Sequence, residues 1–402
     1  MSKLIVELAG RRAGRLIRKD DGNVQFRYDD GYAGPPLSYA MPVQTEAHPH
    51  AICRAVFGGL LPEGDGREAL ARALGVSPGN DYGLLAEVGG DCAGAITLRR
   101  SGAARVEQPR LRALGADDVD ALLRALPQRP LGAAPKEGVR LSLAGAQPKL
   151  PVVMDDDGMA LPLDGATPTT HILKPEPATH PGLVDNEGFC MGLARAAGLR
   201  VAGTLKIRTA SGLPCLVVER YDRDLTTDPI RRLHQEDACQ ALGIPSDRKY
   251  QTEGGPGVRE LADLLRDATA VPAQELPRLW EALVFNWLIG NCDAHGKNFS
   301  LLYDAGPPTL APLYDLVSTV AYDGLTTRLA MSLGGATDVA DVDLGAWTRL
   351  AADIGVSERF ARRSTAAVVA RVKAAAAELV PQPKRSGTVA GRIAERIAAI
   401  VL

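Results

Sequence analysis

Residues 286–299, NWLIGNCDAHGKNF, gather Asp293, His295, Lys297 and Asn298 within six positions at the end of an apolar run. Asp293 and Asn298 have the spacing D-x-x-x-x-N. A loop of that form can set a carboxylate beside an acceptor hydroxyl while an amide oxygen helps hold magnesium on a nucleotide's phosphates. The stretch APLYDLVST then brings a second acid, Asp315, after the strand-like Leu313 and Tyr314. An acid there can chelate magnesium as the Asp of a D-F-G motif does. Taken singly, each has a plainer reading: a helix end with its turn for the first, and a turn-capping Asp315 for the second. Asp293 with His295 is also a conceivable metal pair. Two candidates at i, i+2 with no further histidine nearby do not make a zinc site.

Three other stretches carry residues suited to a nucleotide. In LSLAGAQPKL (141–150), Ala144, Gly145 and Ala146 lie between strand-like flanks, followed by Gln147, Pro148 and Lys149. Small residues in a turn let backbone N–H groups approach a phosphate, and Lys149 adds charge. In THILKPEP (170–177), Lys174 closes an apolar strand and Glu187 follows on the next expected helix. A strand lysine held by a helix glutamate, its ammonium aimed at the α and β phosphates, is the electrostatic core of protein-kinase-type sites. LVVERYDR (216–223) reads as a hinge, an apolar strand ending in Glu219, Arg220 and Tyr221, whose backbone can meet an adenine edge. H-E-x-x-H and the Walker A pattern are absent.

These segments need a scaffold, and composition says what kind. With 402 residues, 46% of them hydrophobic, the chain can bury one large core or several coupled ones. Its 46 basic and 48 acidic residues nearly cancel, so no overall field draws it to nucleic acid or to an anionic membrane. The six cysteines form neither a C-x-x-C pair nor a zinc spacing, which points to reduced thiols in a cytoplasmic protein. The amino terminus lacks a signal-peptide apolar region, and no membrane-spanning run is expected. Only ten basic residues are lysines, so a lysine within a motif is less readily filler.

Short strands are expected over 3–9 and 23–28, helices over 60–76 and from 81, and a linker over 127–138. Strand-like pieces fill 139–223 around one helix at 185–198, and beyond 230 the apolar period turns helical. The order implies an α+β, two-lobed protein with a cleft. LAADIGVSERFARR (350–363) has a helix-turn-helix flavour, but LARALGVSPGN and LARAAGLRVAG share its Ala-x-x-x-Gly core, which reads better as repeated helix C-caps.

Taken in order, GLLPEG, DYGLLAEVGGDCAGAI, SLAGAQPKL, HILKPEP, DNEGFCMGLA, VVERYDR, LHQEDACQALG, NWLIGNCDAHGKNFSLLY and PLYDLVS resemble the HipA family of bacterial serine/threonine kinases, toxins of type II toxin–antitoxin pairs. The resemblance implies a kinase-like fold divided into a β-rich N-terminal subdomain (1–100), a connecting segment (101–138), a kinase N-lobe (139–223) and a helical C-lobe (224–402). It implies Asp293 as catalytic base and Asn298 and Asp315 as magnesium ligands. Ala144, Gly145, Ala146, Gln147, Pro148 and Lys149 would cover the ATP phosphates, with Lys174 touching them. Glu219, Arg220 and Tyr221 would flank adenine, and His295, Gly296, Lys297 and Tyr314 would line the nucleotide site. Ser142 occupies the position of an autophosphorylated serine that ejects the loop and switches the enzyme off. Pro148 departs from better-known members and removes a backbone donor from the loop. The partners implied are a helix-turn-helix antitoxin of the HipB kind, DNA mainly through that antitoxin, and an aminoacyl-tRNA synthetase as target. A catalytically silent co-repressor is the alternative that resemblance leaves open.

Overall fold

The computed structural model describes residues 2–103, 110–133, 139–380 and 387–401. The chain divides into two compact units that do not follow its linear order. The first comprises Met1–Pro177, Ile207–Asp247 and Leu302–Asp304; the second comprises Ala178–Lys206, Arg248–Leu301 and Ala305–Leu402.

The first unit opens with an antiparallel sheet of four strands, β1 (Lys3–Leu8), β2 (Arg11–Arg18), β3 (Val24–Tyr28) and β4 (Ile96–Arg100), in the order β3-β2-β1-β4. Alternation of apolar and charged residues sends one face inward. Leu4, Val6, Leu16 and Phe26 are buried against α1 (His50–Gly58), α2 (Gly64–Leu74) and α3 (Asp81–Val88). Of these, α1 escapes a reading by pattern. It starts after Pro49, has no side-chain cap and is only nine residues long.

A second sheet in this unit contains β5 (Leu111–Leu114), β6 (Leu150–Asp155), β7 (Gly158–Pro162) and β8 (His171–Pro175), with α4 (Ala116–Ala125) packed beside it. β9 (Thr204–Arg208) enters the unit only at Ile207, and β10 (Pro214–Glu219) pairs antiparallel with β8. The order is β5-β7-β6-β8-β10-β9. Of the expected linker, 127–133 is described, and Pro130–Gly132 forms a buried 3-10 turn; 134–138 lie outside the described residues.

The second unit is mainly helical: α5 (Leu183–Ala196), then Val258–Ala268, Pro272–Ile289, Leu344–Asp353, Glu358–Leu379 and Val389–Ala399. In Pro272–Ile289 Pro stands at N1, where its missing N–H costs nothing, and Leu279 to Ile289 are all buried except Glu281. Trp280 is its largest fully buried side chain, its indole N–H donating to Thr365 Oγ1 at 3.0 Å. A two-stranded hairpin, Arg328–Leu333 with Ala336–Asp338, sits among these helices. The helix C-cap reading of the three Ala-x-x-x-Gly segments agrees with the backbone. Gly75, Gly198 and Gly355 all follow helices with left-handed φ of 65°, 82° and 64°. All six thiols are buried and none is in a disulfide.

Candidate functional site

The loop that carries Asp293 begins where Pro272–Ile289 stops. Gly290 has φ +69°, and a Cβ there would lie 2.3 Å from Val320, so the chain can turn here only with glycine. Asparagines then frame the turn. Asn286 Nδ2 donates to Ala282 O at 2.9 Å, Asn291 Nδ2 donates to Asn286 Oδ1 at 2.7 Å, and Asn291 Oδ1 accepts from Asp293 N at 3.1 Å. Asn286 and Asn291 are buried, whereas Asp293 is exposed.

Beyond Asp293 the His295 N–H is shared between Asp293 O at 2.8 Å and Asn298 Oδ1 at 3.0 Å. The Asn298 amide reaches the other way, Nδ2 donating to Asp315 Oδ2 at 3.2 Å. Residues expected to share a cation thus face each other within hydrogen-bond range. Asp315 is held at φ +58°, a left-handed conformation unusual for a residue with a side chain. Strain of that kind, roughly 1–3 kcal/mol, persists where surrounding structure enforces it and often marks function. Tyr314 helps enforce it, its hydroxyl donating to Lys297 O at 2.5 Å and lying 2.7 Å from Ser300 Oγ. His295, Gly296 and Lys297 are buried here. Asp293, His295, Asn298, Tyr314 and Asp315 all belong to the second unit.

One residue of this cluster escaped the sequence reading. Tyr250 donates its hydroxyl to Asp293 Oδ1 at 2.7 Å and meets His295 edge-on at 5.3 Å between centroids. The adjoining Lys249 carbonyl accepts from Gly296 N at 3.4 Å. Tyr250 opens a Gly- and Pro-rich stretch, YQTEGGPG, and no spacing rule links that stretch to an acid 43 residues on.

The small-residue loop lies in the first unit. Ser142 is fully buried, its hydroxyl donating to Leu60 O at 2.8 Å and its N–H to Asp91 O at 2.9 Å. Gly145 pairs with Pro62, its carbonyl accepting from Glu63 N at 3.3 Å. The loop is therefore held from GLLPEG, some 80 residues earlier. Gly145 has φ +102°, and a Cβ on it would lie 2.5 Å from Lys149 Nζ, which itself donates to Ala144 O at 2.6 Å. Ala144, Gln147 and Pro148 are half-buried and Ala146 is exposed.

Lys174 is buried on β8 opposite Leu216 of β10. Glu187 is buried on α5 in the second unit. Glu219 is exposed at the end of β10, opposite His171. The Tyr221 hydroxyl donates to Gln235 Oε1. Arg220 differs from its neighbours: its side chain is buried and its guanidinium is committed to Asp91, Asp222, Thr169 and the Cys92 carbonyl. Any contact it makes with a nucleotide comes from its backbone.

Asn298 and Asp315 fit magnesium as a donor set. Both offer hard oxygens, and magnesium takes one or two protein ligands and fills its shell with waters and phosphate oxygens. Among the described residues no group of three His, Cys, Asp or Glu side chains is placed to hold a metal ion.

Residues 4–99 match the HipA N-terminal domain and residues 141–376 the HipA-like C-terminal domain. The chain belongs to the HipA family. It is 44% identical over 404 residues to the putative kinase Y4mE of Sinorhizobium fredii, spanning 96% of each chain. It is 33% identical over 323 residues to the serine/threonine-protein kinase toxin HipA of Shewanella oneidensis, spanning 77% of this chain and 73% of that protein. A solved HipA, determined in the complex of Shewanella oneidensis HipA, HipB and operator DNA, superposes with a TM-score of 0.83 at 27% identity, over 98% of this chain and 96% of that one. The α+β, kinase-like HipA fold expected from the motifs is the fold found. Membership carries the coarse activity with it, that of a HipA-family kinase, and hence the use of ATP. No described helix is long and apolar enough to cross a membrane.

Proposed function

We propose that this HipA-family member is a Mg2+- and ATP-dependent protein serine/threonine kinase toxin, with Asp293 as the base that takes the proton from the acceptor hydroxyl. The observation that carries the reading is the Asn298–Asp315 contact at 3.2 Å in a loop whose own framework leaves Asp293 exposed. In this reading the first unit binds the nucleotide. Residues 144–149 offer small side chains and backbone N–H groups to the phosphates, Lys174 adds a positive charge, and Glu219 to Tyr221 meet the adenine edge. Residues of the second unit move the phosphate: Asp293 accepts a proton at its carboxylate, and Asn298 and Asp315 hold magnesium, which neutralises charge on the phosphates. His295, Lys297 and Tyr314 shape the nucleotide's surroundings. In functional terms the chain divides as N-terminal subdomain 1–100, connector 101–138, nucleotide lobe 139–223 and helical lobe 224–402.

The acceptor we propose is a component of translation of the aminoacyl-tRNA synthetase class, whose loss would arrest growth. The partner is a HipB-like helix-turn-helix antitoxin through which the protein reaches DNA; the related HipA from Shewanella oneidensis was solved with HipB and operator DNA. Ser142 is the proposed autophosphorylation site. Its hydroxyl is buried and bonded to Leu60 O, so phosphorylation requires this segment to leave its place, the behaviour expected of an off-switch.

Incubation with labelled ATP and magnesium tests the assignment. Wild type should transfer phosphate to itself and to a protein in extract, Asp293→Asn to neither, and the self-label should vanish in Ser142→Ala. Equal labelling of wild type and Asp293→Asn would leave the co-repressor scaffold as the surviving reading.

A further inference from the structure

The first unit contains a buried charge cluster that the phosphotransfer reading does not use. Its centre is Asp91, in the turn after α3, 1% exposed. Asp91 Oδ1 accepts from Arg223 Nη2 at 3.0 Å and from Arg232 Nε and Nη2 at 3.1 and 2.9 Å. Its Oδ2 accepts from Arg220 Nη1 at 3.2 Å, Thr169 N at 3.1 Å and Thr169 Oγ1 at 2.7 Å. Asp222 completes the cluster, taking Arg220 Nη2 at 2.7 Å, Arg223 Nη1 at 3.0 Å and the Gly94 N–H at 2.6 Å. Burial alone would push the Asp91 carboxyl up. The guanidinium groups of Arg223, Arg232 and Arg220 override it and hold the group far below the usual carboxylate range.

The backbone of the same residue does something else. Asp91 N donates to Arg140 O at 3.0 Å and Asp91 O accepts from Ser142 N at 2.9 Å, forming a parallel bridge at Leu141. One residue of the N-terminal module therefore fastens two segments far apart in sequence: the base of the small-residue loop by its main chain, and the 220–223 segment after β10 by its carboxylate. Buried ion clusters are seldom more stabilising than apolar packing of the same volume, so stability alone is a weak reason for this one. What it does supply is a fixed relative position for the loop and the hinge.

We propose that Asp91 is a positioning residue for the nucleotide, registering the phosphate loop at Ser142 against the 220–223 segment that carries the adenine-facing residues up to Tyr221. The proposal rests on the ATP reading of those two segments. It gives the N-terminal module a part in nucleotide binding although none of its residues need touch ATP.

The test is equilibrium binding of ATP with magnesium, and of adenosine, to the full chain and to Asp91→Asn, at a temperature where circular dichroism shows both folded. Adenosine reports the hinge, and ATP reports hinge and loop together. Asp91→Asn keeps the shape and removes the charge; its Kd should rise about 10-fold for ATP and about 3-fold for adenosine. If Asp91→Asn does not fold, Arg232→Gln removes the most exposed of the three guanidinium groups and should raise the ATP Kd about 3-fold. Asp81→Asn breaks the Arg67–Asp81 ion pair of the same module without touching either segment, and measures what lost stability alone does. Kd values within two-fold of wild type in the folded variants, or a rise in Asp81→Asn equal to that in Asp91→Asn, would reduce Asp91 to a strut. If wild type itself binds neither ligand, the ATP reading fails, a result separate from any difference between variants.

Discussion

The loop carrying Asp293 and the loop carrying Gly145 are built in opposite ways. The first is framed largely from its own neighbourhood: Asn286 with Asn291, Asn291 with Asp293, His295 with Asn298, and Asn298 with Asp315 across 17 residues. The chemistry proposed for it lies in side chains. The second makes its offer through backbone and small residues, and is held by Leu60, Pro62, Glu63 and Asp91, 51 to 83 residues earlier in the chain. A local framework tolerates changes elsewhere in the protein, whereas a loop clasped by distant segments can be altered from outside it. Acid–base and metal chemistry need side chains held to within tenths of an ångström, which suits the first design. A loop that is to be released as a switch suits the second.

Substitutions can break that contrast. Apart from the base itself, the largest effect is expected for Asp315→Asn, which replaces a charged oxygen donor at a strained position; phosphate transfer should fall by roughly 10²–10³ with ATP binding little changed, measured as initial rates over a magnesium titration. Gly145→Ala should act in the opposite pattern. Its φ of +102° and the approach to Lys149 disfavour any Cβ by roughly 1–3 kcal/mol, so the ATP Kd should rise about 5- to 150-fold while turnover at saturating ATP changes less. A turnover loss with unchanged ATP affinity would place Gly145 outside the binding half.

Smaller effects sharpen the picture. Tyr250→Phe removes the hydroxyl bonded to Asp293 Oδ1, an exposed bond worth about 0.5–1.5 kcal/mol net. Transfer rates should fall about 2- to 12-fold with the ATP Kd changing less, since Phe keeps the ring contact with His295 and loses the bond to the base. The smallest expected effect is a null one. A carboxylate with a depressed pKa contributes stability that is present above its unfolded value and lost only as pH falls through the folded value. Asp91 is of this kind, so adenosine affinity should stay within about two-fold between pH 8 and pH 5. A steep loss in that interval would show that some other titrating group holds the hinge.

The same contrast explains what could be read from the sequence. The approach of Asn298 to Asp315, in the loop that carries Asp293, is legible because the partners are close along the chain, and α5 lies within two residues of its expected bounds. Tyr250 and Asp91 were not, because their partners lie 43 and up to 141 residues away and no periodic pattern records such a pairing. Arg220 is expected beside the adenine from its place in a polar segment after a strand. Burial of its guanidinium in the Asp91 cluster is a tertiary fact that the segment itself does not carry. The 328–338 hairpin was hidden for a related reason: its strands are six and three residues long and interrupt a helical stretch.

The central claim is that Asp293 moves a proton during phosphate transfer. The direct measurement is a single-turnover transfer rate for wild type and Asp293→Asn at saturating Mg2+–ATP, with the ATP Kd of both proteins determined alongside. The account predicts equal affinity, within about two-fold, and a rate lower by roughly 10²–10⁴ in Asp293→Asn. Equal rates at equal affinity would contradict it.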